Sequence, residues 1–226
     1  MKKLVIIGAS GHGKVVADIA RNNGYTEIVF LDDNQELIQC GGYPVVGKTS
    51  EFKEYDCDII VAIGNAKIRE RFQREINPEQ LPVLIHPNAY VAEHVEIGKG
   101  SVVVAGAVIN PGTKIGEGCI INTGSSVDHD CVIYDFVHIS VGAHVAGTVK
   151  IGNRTWIGAG ATVINNLNIC GDCMVGAGAV VIKNIREAGT YIGVPVKEKN
   201  MLKNKQGGGV KLNSFISTNR IYEVAA

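Results

Sequence analysis

Three consecutive residues near the middle of the chain, Asp128, His129 and Asp130, are the best candidates for acid–base chemistry. A carboxylate bonded to one ring nitrogen of a histidine fixes the tautomer and raises the basicity of the other nitrogen. We therefore interpret His129 as a candidate general base, with Asp130 or Asp128 orienting its ring. A solvated turn would also fit these residues, so the triplet alone does not decide the function.

A glycine-rich loop near the start of the chain has the composition of an anion-binding turn. The loop runs from Gly8 to Gly13 as Gly-Ala-Ser-Gly-His-Gly, between a short apolar stretch, Lys3 to Ile7, and apolar residues at helical spacing. Free backbone N–H groups at the start of a helix favour anions such as a diphosphate. His12 would fit equally well as a residue that merely caps the helix.

Two further predicted strands end in polar or small residues and suggest a small parallel α/β unit. Ligands of such sheets collect at the carboxyl ends of the strands, which would bring these residues close to the glycine-rich loop. The pieces are Glu27 to Leu31 followed by Asp32 and Asp33, Asp58 to Ile63 followed by Gly64, and a predicted helix from Ala66 to Ile76.

A dinucleotide-binding dehydrogenase is the main alternative for this N-terminal unit. That fold requires Gly-x-Gly-x-x-Gly, whereas this loop reads Gly-x-x-Gly-x-Gly. The acidic pair Asp32 and Asp33 does mimic the carboxylate that binds a ribose. Only about half of a dinucleotide fold fits before the chain changes character near Ile85, which argues against this alternative.

From Ile85 onward an aliphatic residue recurs at every sixth position without a slip. A six-residue period fits neither an α-helix nor an alternating strand, but it fits a prism in which each hexad forms one flat face and three hexads form one coil. The recurring residues are Ile85, Val91, Ile97, Val103, Ile109, Ile115, Ile121, Val127, Ile133, Ile139, Val145, Ile151, Ile157, Val163, Ile169, Val175 and Val181.

A second position of each hexad, four residues after the aliphatic one, is mostly small and is predicted to face inward as well. Examples are Ala107, Cys119, Cys131 and Ala161. Glycine often follows the aliphatic residue directly, and we expect it there because corners need backbone angles that other residues avoid. An ordinary β-sandwich would need turns at irregular intervals, which the sequence does not have.

The overall composition excludes several classes of function. Lys plus Arg and Asp plus Glu both total 22, so no charge excess points to nucleic acid. No apolar stretch is long enough for membrane insertion, and no export signal is recognisable, so we expect a cytoplasmic protein. The six cysteines then read as reduced apolar fillers, and Cys170-x-x-Cys173 lacks the second pair that a zinc site requires.

The chain resembles the hexapeptide-repeat acyltransferases, and within them the bacterial sugar O- and N-acyltransferases that acetylate nucleotide-linked amino sugars or sialic acid. The resemblance covers Lys3 to about Lys197. It rests on the Gly-Ala-Ser-Gly-His-Gly loop, Phe30-Leu31-Asp32-Asp33, Ala62-Ile63-Gly64-Asn65, Asn122-Thr123, Val127-Asp128-His129-Asp130-Cys131, His138-Ile139-Ser140-Val141-Gly142-Ala143 and Gly193-Val194-Pro195.

This resemblance implies a Rossmann-like parallel α/β domain followed by a left-handed parallel β-helix, a β-solenoid whose handedness comes from the resemblance alone. The implied divisions are 1–84 for the acceptor domain, 85–186 for the β-helix, and 187–226 for a C-terminal arm and a glycine-linked tail. It also implies a homotrimer with active sites between subunits, and acetyl-CoA as the acyl donor without a metal.

The resemblance assigns roles to individual residues. The implied catalytic residues are His129, Asp130 and Gly147, whose N–H would stabilise the oxyanion. The implied acceptor contacts are Ser10, Gly11, His12, Asp32, Asp33, Gly64 and Asn122, and the implied acetyl-CoA contacts are His138, Ala159 and Ala177. Several family members carry Glu where this chain has Asp130, which leaves open whether the shorter side chain reaches the ring.

The leading hypothesis from the sequence is N-acetylation of a nucleotide-linked 4-amino sugar in the synthesis of a surface glycan or glycoprotein sugar, with His129 as the base. The alternatives are O-acetylation of sialic acid or a related sugar, and a scaffold that binds sugar nucleotides without chemistry. A γ-class carbonic anhydrase shares the repeat and binds zinc through three histidines, but His129 occupies a different position of the hexad from His138 and His144.

Overall fold

The structure of the protein, a computed structural model, describes residues 2–199. Its N-terminal part is a five-stranded sheet in the order β3-β4-β2-β1-β5, in which only β3 is antiparallel to its neighbour. The strands are β1 (Lys3–Ile7), β2 (Glu27–Leu31), β3 (Gln39–Cys40), β4 (Tyr43–Gly47) and β5 (Asp58–Val61). The helices are α1 (Gly11–Asn22) and α2 (Ala66–Glu75), with 3-10 helices at Thr49–Glu54 and Pro78–Gln80.

The predicted strand and helix at the start of the chain are confirmed, but the loop between them is shorter than predicted, because α1 already begins at Gly11. Gly8 has φ 105°, a left-handed conformation that residues with a Cβ rarely adopt. Helix α1 then buries Val16 and Ile19 between the sheet and the first coils of the repeat region. The strands β3 and β4 were not predicted, because they carry no long apolar run.

The repeat region folds into a parallel β-helix with three faces. Each strand pairs with the strand 18 residues later, as Val108 does with Ser126 and Ser126 with His144. Face 1 contains β6 (Leu84–Ile85), β9 (Val102–Val103), β12 (Ile120–Ile121), β15 (His138–Ile139), β18 (Trp156–Ile157) and β21 (Cys173–Val175).

The other two faces follow in the same order along each coil. Face 2 contains β7 (Tyr90–Val91), β10 (Val108–Ile109), β13 (Ser126–Val127), β16 (His144–Val145), β19 (Thr162–Val163) and β22 (Val180–Val181). Face 3 contains β8 (Glu96–Ile97), β11 (Lys114–Ile115), β14 (Val132–Ile133), β17 (Lys150–Ile151) and β20 (Asn168–Ile169). We name the connections the 1–2, 2–3 and 3–1 corners, after the faces that they join.

Both inward positions of the hexad are confirmed. The aliphatic residues end the strands and form one continuous core with the small residues four positions later. The inward hydroxyls are satisfied by backbone, since Thr113 donates to Asp128 O at 2.7 Å and Thr155 donates to Cys170 O at 2.9 Å. Buried polar groups with partners of this kind do not carry the cost of an unmade hydrogen bond.

The glycines directly after the aliphatic residues serve a different purpose from the predicted one. Their φ angles are not left-handed; instead, a Cβ on Gly98 would lie 2.5 Å from the carbonyl carbon of Gly116 in the next coil. The left-handed residue comes two positions later in the corner, for example Gly100 at φ 71° and Asp130 at φ 57°. Close approach between coils, not backbone angle, therefore requires the first glycine of each corner.

The predicted C-terminal arm begins with two strands. Strand β23 (Gly189–Ile192) extends face 1 beyond β21, and β24 (Lys197–Glu198) pairs antiparallel with it. Tyr191 and Val196 pack against the end of the core and thereby close the prism. The predicted glycine joint and tail, 207–226, lie outside the described residues. Within residues 2–199 no helix combines the length and the apolar character needed to span a membrane.

Candidate functional site

His129 lies on the 2–3 corner, directly before the left-handed residue Asp130. Its Nδ1 lies 2.9 Å from Asp130 Oδ2, and both side chains are more than half exposed, at 57% and 66%. A carboxylate can only accept, so Nδ1 carries the proton and Nε2 keeps its lone pair in the neutral ring. The aspartate therefore reaches the ring despite lacking the methylene of a glutamate.

Asp128 has other partners. Its Oδ1 accepts from the backbone N–H of His129 and from Asn110 Nδ2, both at 2.8 Å. These bonds lower the pKa of Asp128, with Asn110 as the largest cause. The pKa of His129 is raised, first by the hydrogen bond to Asp130 and next by the charge of Asp128. Asp130 orients the ring, while Asp128 shapes the corner and adds charge.

Gly147 lies one coil above His129 and in contact with its ring. A Cβ on Gly147 would be 2.5 Å from His129 Nε2 and 2.6 Å from Cε1, so only glycine leaves room for the ring here. Within residues 2–199 the N–H of Gly147 has no hydrogen-bond acceptor. A basic nitrogen and a free N–H donor thus lie side by side on the 2–3 corner.

His138 lies on face 1 and is held in one tautomer. Asn122 accepts the N–H of Thr123 at its Oδ1, 2.8 Å away, which turns its Nδ2 towards His138 Nε2 at 3.0 Å. An amide nitrogen can only donate, so Nε2 accepts and the proton resides on Nδ1. That Nδ1 is buried and has no partner among the described residues.

Apart from Asn122, the surroundings of His138 disfavour a positive charge on its ring. Its ring stacks on Trp156, one coil above, with centroids 5.0 Å apart and an interplanar angle of 20°. Burial, the nearby Arg69 guanidinium and His12 lower its pKa to about 3. Burial and Arg69 lower the pKa of His12 to about 4, and its Nε2 likewise has no partner within residues 2–199. Both imidazoles are neutral near pH 7.

The predicted acceptor residues of the α/β part gather at one edge of its sheet. Asp32 ties that edge together by accepting the N–H of Ala9 at 2.7 Å, and Asp33 accepts the N–H and hydroxyl of Thr49. Ser10 precedes α1 without making a side-chain cap. Gly11 and Gly64 face open space, because a Cβ on either would meet nothing within 4 Å.

One chain therefore divides the predicted site residues between separate edges of the prism. The acceptor residues, Asn122 and His138 belong to the α/β edge and face 1, whereas His129, Asp130 and Gly147 belong to the 2–3 corner, across face 2. Ala159 and Ala177 lie exposed on the 1–2 corner, one coil apart. His129, His138 and His144 do not converge, and residues 2–199 contain no cluster of three His, Cys, Asp or Glu side chains fit to hold a metal.

Comparisons with known proteins match both parts of the chain. A family model of the PglD N-terminal domain matches residues 3–76, and a model of the bacterial transferase hexapeptide, six repeats, matches residues 82–111. The acetyltransferase domain of PglB from Neisseria gonorrhoeae FA1090 is 43% identical with a TM-score of 0.84, over 88% of this chain and 100% of that one. The chain belongs to the family of hexapeptide-repeat sugar acyltransferases.

Other members of the family have been solved with ligands. The same Neisseria domain in complex with acetyl coenzyme A is 42% identical with a TM-score of 0.82, over 87% of this chain and 98% of that one. PerB from Caulobacter crescentus, in complex with CoA and GDP-perosamine, is 37% identical with a TM-score of 0.81, over 88% and 98%. UDP-N-acetylbacillosamine N-acetyltransferase of Bacillus subtilis strain 168 is 32% identical over 46% of this chain. The chain spans about half, 52%, of that relative.

Small residues line the 1–2 corner, where the sequence predicts Ala159 and Ala177 as acetyl-CoA contacts. At Gly124, Gly142, Gly160 and Gly178 a Cβ would meet nothing within 4 Å, so the corner forms an open strip along the coils. Ala159 and Ala177 lie between these glycines. Side chains of this size let a long ligand approach the backbone.

Two residues near the site were not predicted from the sequence. Trp156 and Arg69 both contribute to the surroundings of His138. Beside them, a pocket of about 480 Å³ opens between the first turn of α2 and face 1, lined in part by Gly64, Lys67 and Met174. The 18-residue spacing of His138 and Trp156 would have placed the tryptophan on the same face. The position of Arg69 on the buried stripe of α2 was the other available signal.

Proposed function

We propose that this protein is an acetyl-CoA-dependent N-acetyltransferase acting on a nucleotide-linked 4-amino sugar for surface-glycan or glycoprotein synthesis. The contact of His129 with Asp130 and Gly147 carries the proposal, because one corner then offers both a general base and an oxyanion donor. Support comes from PerB, whose structure contains CoA and GDP-perosamine, and from the relative named as acting on a UDP-linked bacillosamine.

Acetyl-CoA, when bound, supplies an acetyl group activated as a thioester. His129 Nε2 accepts the proton that the attacking amine loses as its nitrogen bonds to the acetyl carbon and the carbon–sulfur bond breaks. Asp130 stabilises the imidazolium that results. The N–H of Gly147 donates to the carbonyl oxygen as negative charge develops on it. The protonated ring can then return its proton to the departing sulfur.

The acceptor is proposed to bind at the edge of the α/β sheet. Ser10 precedes α1, and Gly11 and His12 begin it, where free N–H groups attract a diphosphate. Asp32, Asp33 and Gly64 lie at the ends of the adjacent strands. Asn122 is proposed to contact the sugar, while His138, Ala159 and Ala177 contact the donor. Cytoplasmic location stays a sequence prediction.

We further propose a homotrimer with active sites between subunits. The division of the site residues between two edges of one prism supports this, because a neighbouring copy could supply the 2–3 corner that face 1 lacks. Family membership also favours a left-handed coil, the solenoid form of the repeat, and a Rossmann-like fold for the α/β part. The divisions at 84/85 and 186/187 remain part of this proposal.

A thiol-release assay with acetyl-CoA tests the reaction. The acceptor panel contains GDP-perosamine, a UDP-linked 4-amino sugar and CMP-sialic acid with free sialic acid. Release of coenzyme A only with the amino sugars supports N-acetylation, and release only with sialic acid makes the protein an O-acetyltransferase. Binding of a sugar nucleotide without thiol release would reduce it to a scaffold.

Mixed oligomers test the shared site. His129→Ala and His12→Ala chains, with different tags, are co-expressed and purified through both tags, then assayed at low acceptor concentration. Sites that pair an intact 2–3 corner with an intact acceptor edge from another chain should restore activity above both parents. Activity no higher than the mean of the two parents would contradict an inter-subunit site. Light scattering gives the copy number independently.

A further inference from the structure

Arg69 of helix α2 is a fully buried cation with an unusual set of partners. Its side chain is 1% exposed, and its nitrogens donate to four backbone carbonyls. Nη1 donates to Ile63 O and Gly64 O at 2.8 and 2.9 Å, Nε donates to Gly118 O at 2.7 Å, and Nη2 donates to Phe136 O at 2.8 Å.

The four carbonyls belong to two different parts of the site. Ile63 and Gly64 form the loop after β5, at the proposed acceptor edge. Gly118 and Phe136 lie one coil apart on the 3–1 corner, and Phe136 precedes His138 by two residues. One planar group therefore spans the acceptor loop and the start of β15. The fixed fork of a guanidinium makes such a bridge stiff.

The need to hold α2 against the β-helix does not explain why this position carries an arginine. No carboxylate pairs with Arg69 among the described residues, and burial lowers its pKa to about 10. A buried charge is costly, and an apolar side chain of similar volume often holds two elements together as well or better. Other contacts already join α2 to the β-helix, since Arg154 binds Glu70 at 3.1 Å and Gln73 donates to Lys99 O at 3.0 Å.

We propose that Arg69 is a positioning residue, which fixes the Gly64 loop of the acceptor pocket against the 3–1 corner that leads into His138 and so sets the distance between acceptor and donor. The inference rests on the proposed function. The charge of Arg69 has a second consequence. Burial is the largest cause of the lowered pKa values of His12 and His138, and the guanidinium lowers both further. The two rings therefore meet a ligand as neutral groups, each with one unpartnered nitrogen.

Gln73 provides a matched control. It lies one helical turn after Arg69, is 3% exposed, and donates to Lys99 O on the same 3–1 corner, but it donates to neither the Gly64 loop nor Phe136. The variants are Arg69→Met, which removes the fork and the charge, Arg69→Lys, which keeps the charge but loses the fork, and Gln73→Met. Wild type and variants are assayed with GDP-perosamine and a UDP-linked 4-amino sugar, and the imidazoles are titrated by NMR.

We expect Arg69→Met and Arg69→Lys to raise KM for the acceptor by roughly 10- to 100-fold, the cost of a misplacement of about 1 Å, with KM for acetyl-CoA unchanged. Arg69→Met alone should also move the titration of His138 to higher pH. Gln73→Met should lower the melting temperature and change neither quantity. The lysine variant keeps the test usable if Arg69→Met does not fold.

Two failures are distinguishable. The wild type could be active while the Arg69 variants match Gln73→Met in KM and in the His138 titration. Arg69 would then only hold α2 against the β-helix, and the inference would be overturned. A wild type that acetylates neither sugar would overturn the proposed function. In that case the dissociation constant of the sugar nucleotide is measured instead of KM. The inference about Arg69 then requires both Arg69 variants to weaken binding more than Gln73→Met does.

Discussion

His129 and His138 lie half a coil apart in sequence, in opposite surroundings. The ring of His129 is mostly exposed and bonded to Asp130, with Asp128 beside it, and its pKa is raised. The ring of His138 is 8% exposed, stacked on Trp156 and close to Arg69, and its pKa falls to about 3. One coil of the same repeat thus prepares two histidines for different chemistry.

The difference follows from where each ring sits on the prism. The His129 side chain projects from its corner into solvent and binds the carboxylate of the next residue in the chain. The ring of His138 on face 1 is buried beside the α/β part, where burial and the Arg69 guanidinium disfavour the imidazolium. A proton can therefore be accepted and released at His129 but not at His138 near neutral pH. His138 can only donate or accept hydrogen bonds.

The largest effect is expected for His129→Ala. It should lower kcat by about 10²- to 10⁴-fold, the usual range for loss of a general base, and leave the melting temperature nearly unchanged. The ring is 57% exposed and fills no part of the core, so no cavity results. Steady-state kinetics and thermal unfolding measure the two quantities.

His94→Asn is the matched control for that substitution. His94 is exposed on the same 2–3 corner, at a left-handed φ of 63° that asparagine tolerates. Its kcat should equal that of the wild type. Near wild-type kcat in His129→Ala would refute the assignment of the base and make His138 the histidine to test.

The next effect is expected for Gly147→Ala. The added methyl would lie 2.5 Å from His129 Nε2, so the ring must turn away from its position over the Gly147 backbone. We expect a loss of about 10²-fold in kcat, because a base displaced by about 1 Å no longer meets the amine. In the His129→Ala background the same change should cost far less. Equal losses in both backgrounds would show that the methyl acts on something other than the ring.

The sequence predicts the prism better than the site because a period of six is a local property. Each aliphatic residue from Ile85 to Val181 ends a short strand or lies within one, and the inward small residues are buried with them. The Asp130 contact with His129 was also foreseeable, since the two are adjacent in the chain. Asp128, the competing candidate, is occupied by Asn110, one coil earlier.

Contacts between the two parts of the chain could not be predicted in the same way. Arg69 donates to carbonyls as distant in sequence as those of Ile63 and Phe136, and no pattern in the sequence predicts that these two carbonyls lie close together. The predicted role of the corner glycines was wrong for a related reason. Gly98 is required by the backbone of the coil above it, which is adjacent only after folding. Periodicity predicts a fold, but packing across the fold decides the environment of each histidine.

A smaller effect is expected for Asp130→Asn. It should lower kcat by roughly tenfold, because the ring loses a charged orienting partner but keeps its place. The protonated ring cannot accept a proton, so the activity decreases when the pH falls below the pKa of His129. Asp130 favours the protonated form, and its neutralisation should therefore move the acidic limb of the kcat/KM profile to lower pH. Asp128→Asn should move the limb less, and the reverse order would transfer the orienting role to Asp128.

The smallest effect on the pH profile is expected for His138→Gln, which should not shift the acidic limb of kcat/KM at all. The substitution removes a ring that contacts Asn122 and Trp156, so kcat/KM should fall. The acidic limb should nevertheless stay where it is in the wild type, because a group whose pKa is about 3 is already neutral throughout the working range of pH. Measuring both profiles in the same buffers as Asp130→Asn makes the contrast direct. A limb that moved with His138→Gln and stayed fixed with Asp130→Asn would mean that the buried ring is the one that titrates during catalysis, and the assignments of the two histidines would have to be exchanged.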